Sequence, residues 1–145
     1  MNDVVQIQQA LEQARTIAVV GCSPDPDRPS NAIARYLIEA GYRVVPVNPG
    51  HAEILGQTCY RSLAEIPEAV TIDIVNVFRR SEEVAPVAAA AIARGGISFF
   101  FMQQGVADTG SAKKLEAAGI PVAMDRCILI EHQRLQASRR RNSAG

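Results

Sequence analysis

Three times in this chain a helix-like apolar pattern stops at glycine and a short apolar run follows: Ala40-Gly41-Tyr42-Arg43-Val44-Val45, Arg94-Gly95-Gly96-Ile97 and Ala118-Gly119-Ile120-Pro121-Val122. Glycine ends helices because it takes the left-handed conformation without a side-chain penalty. A helical period that keeps giving way to short β-branched runs is the rhythm of βαβ units, and right-handed crossovers leave few ways to assemble them. The expected fold is α/β: a Rossmann-like three-layer α/β/α domain with a parallel sheet of about five strands.

The elements follow from the same pattern. Val4, Ile7, Leu11 and Ala14 share one helical face, which predicts an amphipathic helix over residues 3–14. Thr16-Ile17-Ala18-Val19-Val20 reads as a strand buried on both faces, and further strands are expected at 43–47, 71–78, 97–102 and 122–125. Ser30 is placed to cap a helix whose buried stripe is Ile33, Leu37 and Ile38 and which Gly41 ends. Other helices are expected over 82–94, starting or bending near Pro86, over 111–118 and over 128–135, with a short turn opened by a Ser62–Glu65 capping box. Phe99-Phe100-Phe101-Met102 is the natural central strand.

The 145 residues suffice for one self-supporting core and not for two domains. Fifteen basic and fifteen acidic side chains cancel, so the molecule as a whole has no attraction for nucleic acid or an anionic membrane, and neither is an expected partner. The start, Met1-Asn2-Asp3-Val4-Val5-Gln6, has neither the basic nor the apolar region of a signal peptide, and no run approaches the length of a membrane span. The expected compartment is the cytoplasm. Cys22, Cys59 and Cys127, odd in number and widely spaced, suit free thiols better than a disulfide framework or a zinc site. If the chain associates, a homodimer is the expected form, on general frequency alone.

Ligands of an open parallel sheet bind beyond the carboxyl ends of its strands, where strand order reverses. Those ends deliver Gly21-Cys22-Ser23, Val47-Asn48-Pro49, Val77-Phe78-Arg79-Arg80, Gln103-Gln104-Gly105 and Asp125-Arg126-Cys127. The first loop, which also carries Arg28, leads into the helix at Ser30, whose free N–H groups and dipole favour an anion. Arg79 and Arg80 would approach a phosphorylated ligand from a second side, or else remain a solvated surface pair. A dinucleotide fingerprint is missing: the loop reads Gly21-Cys22-Ser23-Pro24-Asp25-Pro26, and the second strand ends at Asn48-Pro49 rather than at the acid that holds a ribose. A P-loop is missing too. NAD and ATP are therefore disfavoured; NADP, which an arginine can serve, is disfavoured less.

The stretches Ile17-Ala18-Val19-Val20-Gly21-Cys22-Ser23-Pro24 with Arg28-Pro29-Ser30, Gly41 to Pro49, Val75-Asn76-Val77-Phe78-Arg79-Arg80, Gln103-Gln104-Gly105 and Asp125-Arg126-Cys127 together resemble one family. It is that of the small Rossmann-like CoA-binding proteins related to the CoA-binding domain of succinyl-CoA synthetase α subunits. The likeness runs from about residue 16 to 134. It implies that coenzyme A or an acyl-CoA is the ligand, with the turn Gly21, Cys22, Ser23 and with Arg28 taking the phosphates. Val47, Asn48 and Pro49 would line adenine and ribose, and Val77, Phe78, Arg79 and Arg80 would lie along the nucleotide. Ser30, Gln103 and Gly105 complete the expected site. Phe101 stands where the family usually carries tryptophan. Residues 1–138 would then be one CoA-binding domain, and 139–145 a flexible basic tail. The synthetases also need a phosphohistidine from a further domain that this chain is too short to hold. The resemblance thus supports a binding module and leaves catalysis unsupported; an NADP-dependent oxidoreductase or a small acyl-CoA-utilising enzyme is the alternative.

The remaining reactive residues have plainer readings. Cys22 either packs in its loop or, beside a helix N-terminus, has a lowered pKa suited to disulfide exchange, even with CoA. Cys59 and Cys127 are expected to pack as small apolar groups. His51 and His132 come with no triad or metal partners and are expected in surface or capping roles. Asp125 is expected to pair with Arg126.

Overall fold

The computed structural model describes residues 3–144, Asp3 and Ala144 by backbone alone; Met1 and Asn2, where the expected domain begins, and Gly145, where the expected tail ends, lie outside them. Helix α1 (Asp3–Gln13) leads into β1 (Thr16–Val20), α2 (Pro29–Glu39) and β2 (Arg43–Val47). A hairpin of β3 (Glu53–Ile54) and β4 (Gln57–Thr58) precedes a 3-10 turn, Leu63–Glu65, and β5 (Ile74–Val77). A second 3-10 turn, Ser81–Glu83, runs into α3 (Val84–Arg94), and β6 (Phe99–Met102), α4 (Thr109–Ala117), β7 (Val122–Ala123) and α5 (Ile128–Ala144) complete the chain.

Five strands form one parallel sheet in the order β2-β1-β5-β6-β7. Both faces are covered, which is why the strands are largely apolar rather than alternating, with Asn76 inside β5 an exception. Ala18, Val20, Val75, Val77, Phe100 and Met102 pack in a cluster with Val84, Ala88 and Ala91 of α3 and Leu115 of α4. Ile17, Val19, Ile74, Phe99 and Phe101 pack in a second cluster with Ile7 and Leu11 of α1, Leu37 of α2 and Ile128 of α5. The three layers expected from the sequence are therefore present, and Phe100 and Phe101 are fully buried on opposite faces of β6. Pro46 is tolerated inside β2 because that strand lies at the sheet's edge; its carbonyl accepts from Tyr60 N at 3.1 Å.

Several local expectations change. Ser30 does not cap α2: Arg28 is the N-cap residue, Pro29 opens the helix with its fixed φ, and the Ser30 Oγ accepts from Ser23 N at 2.9 Å. Ser62 and Glu65 form no capping box, since Ser62 makes no side-chain cap bond. Pro86 falls in the first turn of α3, where no intrahelical donor is lost, and introduces no break. The fifth helix does not stop near Leu135 but continues to Ala144, so Arg139, Arg140 and Arg141, read as part of a tail, are helical. Arg139 bonds Glu12 of α1 at 3.3 Å, which ties that extension back to the domain.

His132 is also not at the surface. It is 4% exposed, its Nδ1 lies 2.7 Å from the Tyr36 hydroxyl, and the Tyr36 and Tyr42 rings meet it edge-on. Burial holds its pKa below the ordinary histidine value, and the Arg139 charge adds to the shift. The unfolded chain, titrating near the ordinary value, then binds the proton first, so the protein loses stability as pH falls through that value toward the lower folded one. Wild-type melting temperature is expected to drop more steeply between pH 7 and pH 5 than that of His132→Gln. Parallel slopes would show that this histidine does not carry the acid sensitivity.

Candidate functional site

Strand order reverses between β1 and β5, and a cleft of about 500 Å³ opens at their carboxyl ends. Gly21, Ser23, Arg28, Ser30, Phe78, Arg79, Arg80, Gln103 and Gly105 line it, with Pro29 and Gln104 from the same motifs and with Val106, which lies outside them. Chain positions more than 80 apart meet here because each follows a strand of one parallel sheet.

The floor depends on Gly21. Its φ is +84°, and a Cβ built there would stand 2.2 Å from the carbonyl oxygen of Phe78. Only glycine lets the β1–α2 turn lie this close to the end of β5. The turn is otherwise self-supporting. Ser23 Oγ accepts from Asp25 N at 3.1 Å, Ser23 O accepts from the Asn31 side chain at 2.9 Å, and Asp25 Oδ1 accepts from Asp27 N at 2.9 Å. These bonds shape the loop before any ligand arrives, and they leave the Arg28 guanidinium without an ion pair among the described residues. The amino end of α2, preceded by no side-chain cap, faces the same cleft.

On the far wall the two arginines differ. Arg80 is 78% exposed and bonds Glu83 at 2.7 Å, an arrangement that lowers the Glu83 pKa chiefly through that hydrogen bond. Arg79 is 31% exposed and only loosely paired with Glu83, at 3.8 Å. Arg79 also borders a second cavity of about 290 Å³, mostly apolar, walled by Val20, Val47, Leu63, Ala64, Pro86, Val87 and Ala90, with Arg61 and Ser62 beside them. Arg79 therefore borders both cavities. Arg61 follows the short β4 and the Tyr60 bridge to Val47, which the apolar pattern does not mark as strand, and the α3 residues follow no strand directly, so the strand-end rule had no means of selecting them.

Other expected site residues are placed differently. Cys22 is fully buried under α2, and burial, helped by Cys59 nearby, pushes its thiol up to about 11. Of the two readings of Cys22, this supports packing in its loop over a thiol of lowered pKa: the core's desolvation outweighs the helix N-terminus. Native protein incubated with oxidised CoA is expected to show no adduct on Cys22 by intact mass, whereas unfolded protein is labelled; rapid native labelling would overturn this. Cys59 and Cys127 are buried as expected. Val77 is buried as well and supports the floor from beneath. The Asn48 side chain donates to Cys22 O and accepts from Gly50 N, both at 2.9 Å, so it stitches the ends of β1 and β2 together; Pro49 is exposed beyond it. Asp125 does not pair with Arg126. Its carboxylate accepts from Gly105 N at 2.7 Å, and Arg126 instead approaches the buried Glu131 at 3.8 Å. Asn76, on β5 between Val19 and Phe101, is fully buried with both amide atoms unpaired, an arrangement that costs about 1–3 kcal/mol.

A larger groove, about 670 Å³, lies at the opposite edge of the sheet against Ile72, Arg94, Gly95 and Gly96. Arg94 is already committed to the backbone carbonyls of Leu63, Ile66, Pro67 and Val70. Arg28 and Arg79 face the cleft at the carboxyl edge, where a parallel sheet binds its ligands, and that cleft is the candidate site. Among the described residues no cluster of His, Cys, Asp or Glu suits a metal ion, and no helix is long and apolar enough to cross a membrane.

The sequence profile of the CoA binding domain matches residues 15–133, which span all five strands of the sheet and the cleft. The chain belongs to the CoA binding domain family. An uncharacterized Bacillus subtilis (strain 168) protein, YneT, is 40% identical over 127 residues, 88% of this chain and 92% of that one. The ADP-forming acetate–CoA ligase I of Archaeoglobus fulgidus is 40% identical over 69 residues, which are 48% of this chain but 10% of the ligase. Among solved structures, a hypothetical protein from Pyrococcus horikoshii OT3 superposes with a TM-score of 0.87 at 34% identity, covering 93% of both chains. The CoA binding domain match thus covers residues 15–133 of this chain, while the likeness to the ligase covers 10% of that protein.

Proposed function

We propose that this chain binds coenzyme A or an acyl-CoA in the cleft at the carboxyl edge of its sheet, as a binding module without chemistry of its own. The observation that carries this reading is the convergence of Arg28, Arg79 and the uncapped amino end of α2 on one glycine-floored cleft. Such a cleft meets a pyrophosphate with forked donors from two sides. The neighbouring apolar cavity, bordered by Val47 and reached past Arg79, takes the adenine. Asn48 at the end of β2 supplies no carboxylate for a ribose, which favours CoA over NAD. The family membership supports the same ligand. The ligase activity printed for the archaeal relative belongs to a protein of which this chain matches one tenth, and it is not carried over. Three buried free thiols suit a reducing compartment, and we place the protein in the cytoplasm.

Thermal unfolding with CoA, dephospho-CoA, NAD and NADP tests the reading. A ligand at about 100 times its dissociation constant adds about 2.7 kcal/mol, so CoA is expected to raise the midpoint by roughly 5–10 °C. The double variant Arg28→Ala, Arg79→Ala is expected to keep its ligand-free midpoint and lose most of that shift. Stabilisation by NADP and not by CoA would overturn the assignment.

A further inference from the structure

Among the described residues, Asp125 is one of two non-glycine residues with positive φ, at +54°. The other, Leu55, precedes Gly56 in the tight turn joining β3 and β4, where a two-residue hairpin demands that conformation. No hairpin explains Asp125. It follows β7, and its backbone N donates to Val106 O at 3.0 Å while its carboxylate accepts from Gly105 N at 2.7 Å. The next residues add to the same seam. Arg126 N donates to Met102 O at 3.1 Å, and Ile128 N donates to the Gln103 side-chain oxygen at 3.4 Å. The turn from Gln103 to Val106, which forms one wall of the cleft, is thus fastened to the segment after β7.

A strained backbone held by specific bonds marks a place where the surrounding structure requires that geometry. We propose that Asp125 is a positioning residue for the CoA site: its left-handed conformation turns the carboxylate back onto Gly105 N and fixes the Gln103–Val106 wall in its binding shape. With Gln103 Oε1 taken by Ile128 N, the amide end of that side chain is the part left for a ligand, and its place depends on the wall. This inference rests on the CoA reading, yet its structural half stands apart from it. Asp125 touches neither phosphate-suited arginine, so it acts through the turn and not through charge.

Three variants separate these roles. Asp125→Gly relieves the backbone strain and removes only the carboxylate bond; Asp125→Asn keeps an acceptor oxygen and tolerates the left-handed conformation; Asp125→Ala keeps neither feature. Titration calorimetry is expected to show CoA bound roughly tenfold more weakly by Asp125→Gly, the scale of having to order a loop and a side chain on binding. Its melting temperature should stay close to that of the wild type. Asp125→Asn is expected to bind within about threefold of wild type, and Asp125→Ala to lose both affinity and stability. Amide exchange at Gly105 should accelerate in the glycine variant. CoA affinity unchanged while Gly105 exchange accelerates would overturn the positioning role, and so would an asparagine variant as impaired as the glycine one. If the wild type binds no CoA, the ligand reading fails; unchanged Gly105 exchange in Asp125→Gly would separately overturn the clamp.

Discussion

Gly21→Ala is expected to unfold at markedly lower urea concentration than the wild type and to bind CoA poorly. A Cβ at this position lies 2.2 Å from Phe78 O and 3.0 Å from its carbonyl carbon, and both are backbone atoms that no rotamer change can move. The φ of +84° adds the cost of a left-handed L-residue. Strain of this kind and overpacking together amount to roughly 2–5 kcal/mol, a large part of the 5–15 kcal/mol that holds a typical domain together. The same displacement reaches the site, because Arg79 follows Phe78 directly and borders both cavities. The expected signature is a lower midpoint with an unchanged denaturant slope, and a smaller thermal shift with CoA in the fraction that remains folded. An alanine variant with the wild-type midpoint would mean that the turn can open without cost, and that the close approach is not what requires glycine.

The second large effect is expected from Arg94→Ala, far from the cleft. Arg94 Nη1 donates to Ile66 O at 2.8 Å and, more weakly, to Leu63 O at 3.4 Å; Nη2 donates to Pro67 O and to Val70 O, each at 2.7 Å. One guanidinium at the end of α3 therefore organises the backbone from Leu63 to Val70, a stretch with little regular structure of its own. Bonds to a charged donor are worth about 1.5–3 kcal/mol each when buried; with water able to reach some of these carbonyls, the expected loss is roughly 2–4 kcal/mol in all. Arg94→Lys should recover less than half, since an ammonium on a flexible stem cannot serve four carbonyls that a planar fork spans. Urea unfolding of both variants checks this. Leu63 and Ala64 also wall the apolar cavity beside Val47, so Arg94→Ala should weaken CoA binding without touching the ligand. Equal stability of the alanine and wild-type proteins would show that the 63–70 segment holds its own shape.

The contrast with Arg80 shows what the fold adds to a residue type. Arg80 and Arg94 are the same side chain; Glu82 and Glu83 give Arg80 acidic partners in its own sequence, but nothing around Arg94 marks it as a half-buried organiser. Arg80 is 78% exposed and pairs with its own neighbours Glu82 and Glu83, an arrangement of small net value in water. Arg94 reaches back across 24 to 31 positions to satisfy carbonyls of another segment.

The layers, and the edge on which to look, were legible in the local pattern of the chain. Apolar runs of four or five residues, separated by helical patterns ending at glycine, fix burial on both faces of a parallel sheet, and the residues after each strand are then confined to one rim. This is local and periodic information, written in the chain at spacings of two and 3.6 residues. Even so, the strands at 71–78, 97–102 and 122–125 are shorter than their sequence suggests, because single apolar residues such as Ile72, Ile97 and Met124 lie beyond the ladder: β5 begins at Ile74, β6 at Phe99, and β7 ends at Ala123.

Only the tertiary structure decided the direction and company of each side chain. Cys22 and Ser23 are neighbours in one loop, yet Cys22 lies in the core with a raised pKa while Ser23 borders the cleft. His132, expected at the surface, is buried against the rings of Tyr36 and Tyr42. Asp125 chose Gly105, 20 positions away, over the adjacent Arg126. Each outcome depends on which distant backbone arrives beside the residue, and on whether water is excluded when it does. Periodicity carries neither, because both are set by the packing of whole elements against one another.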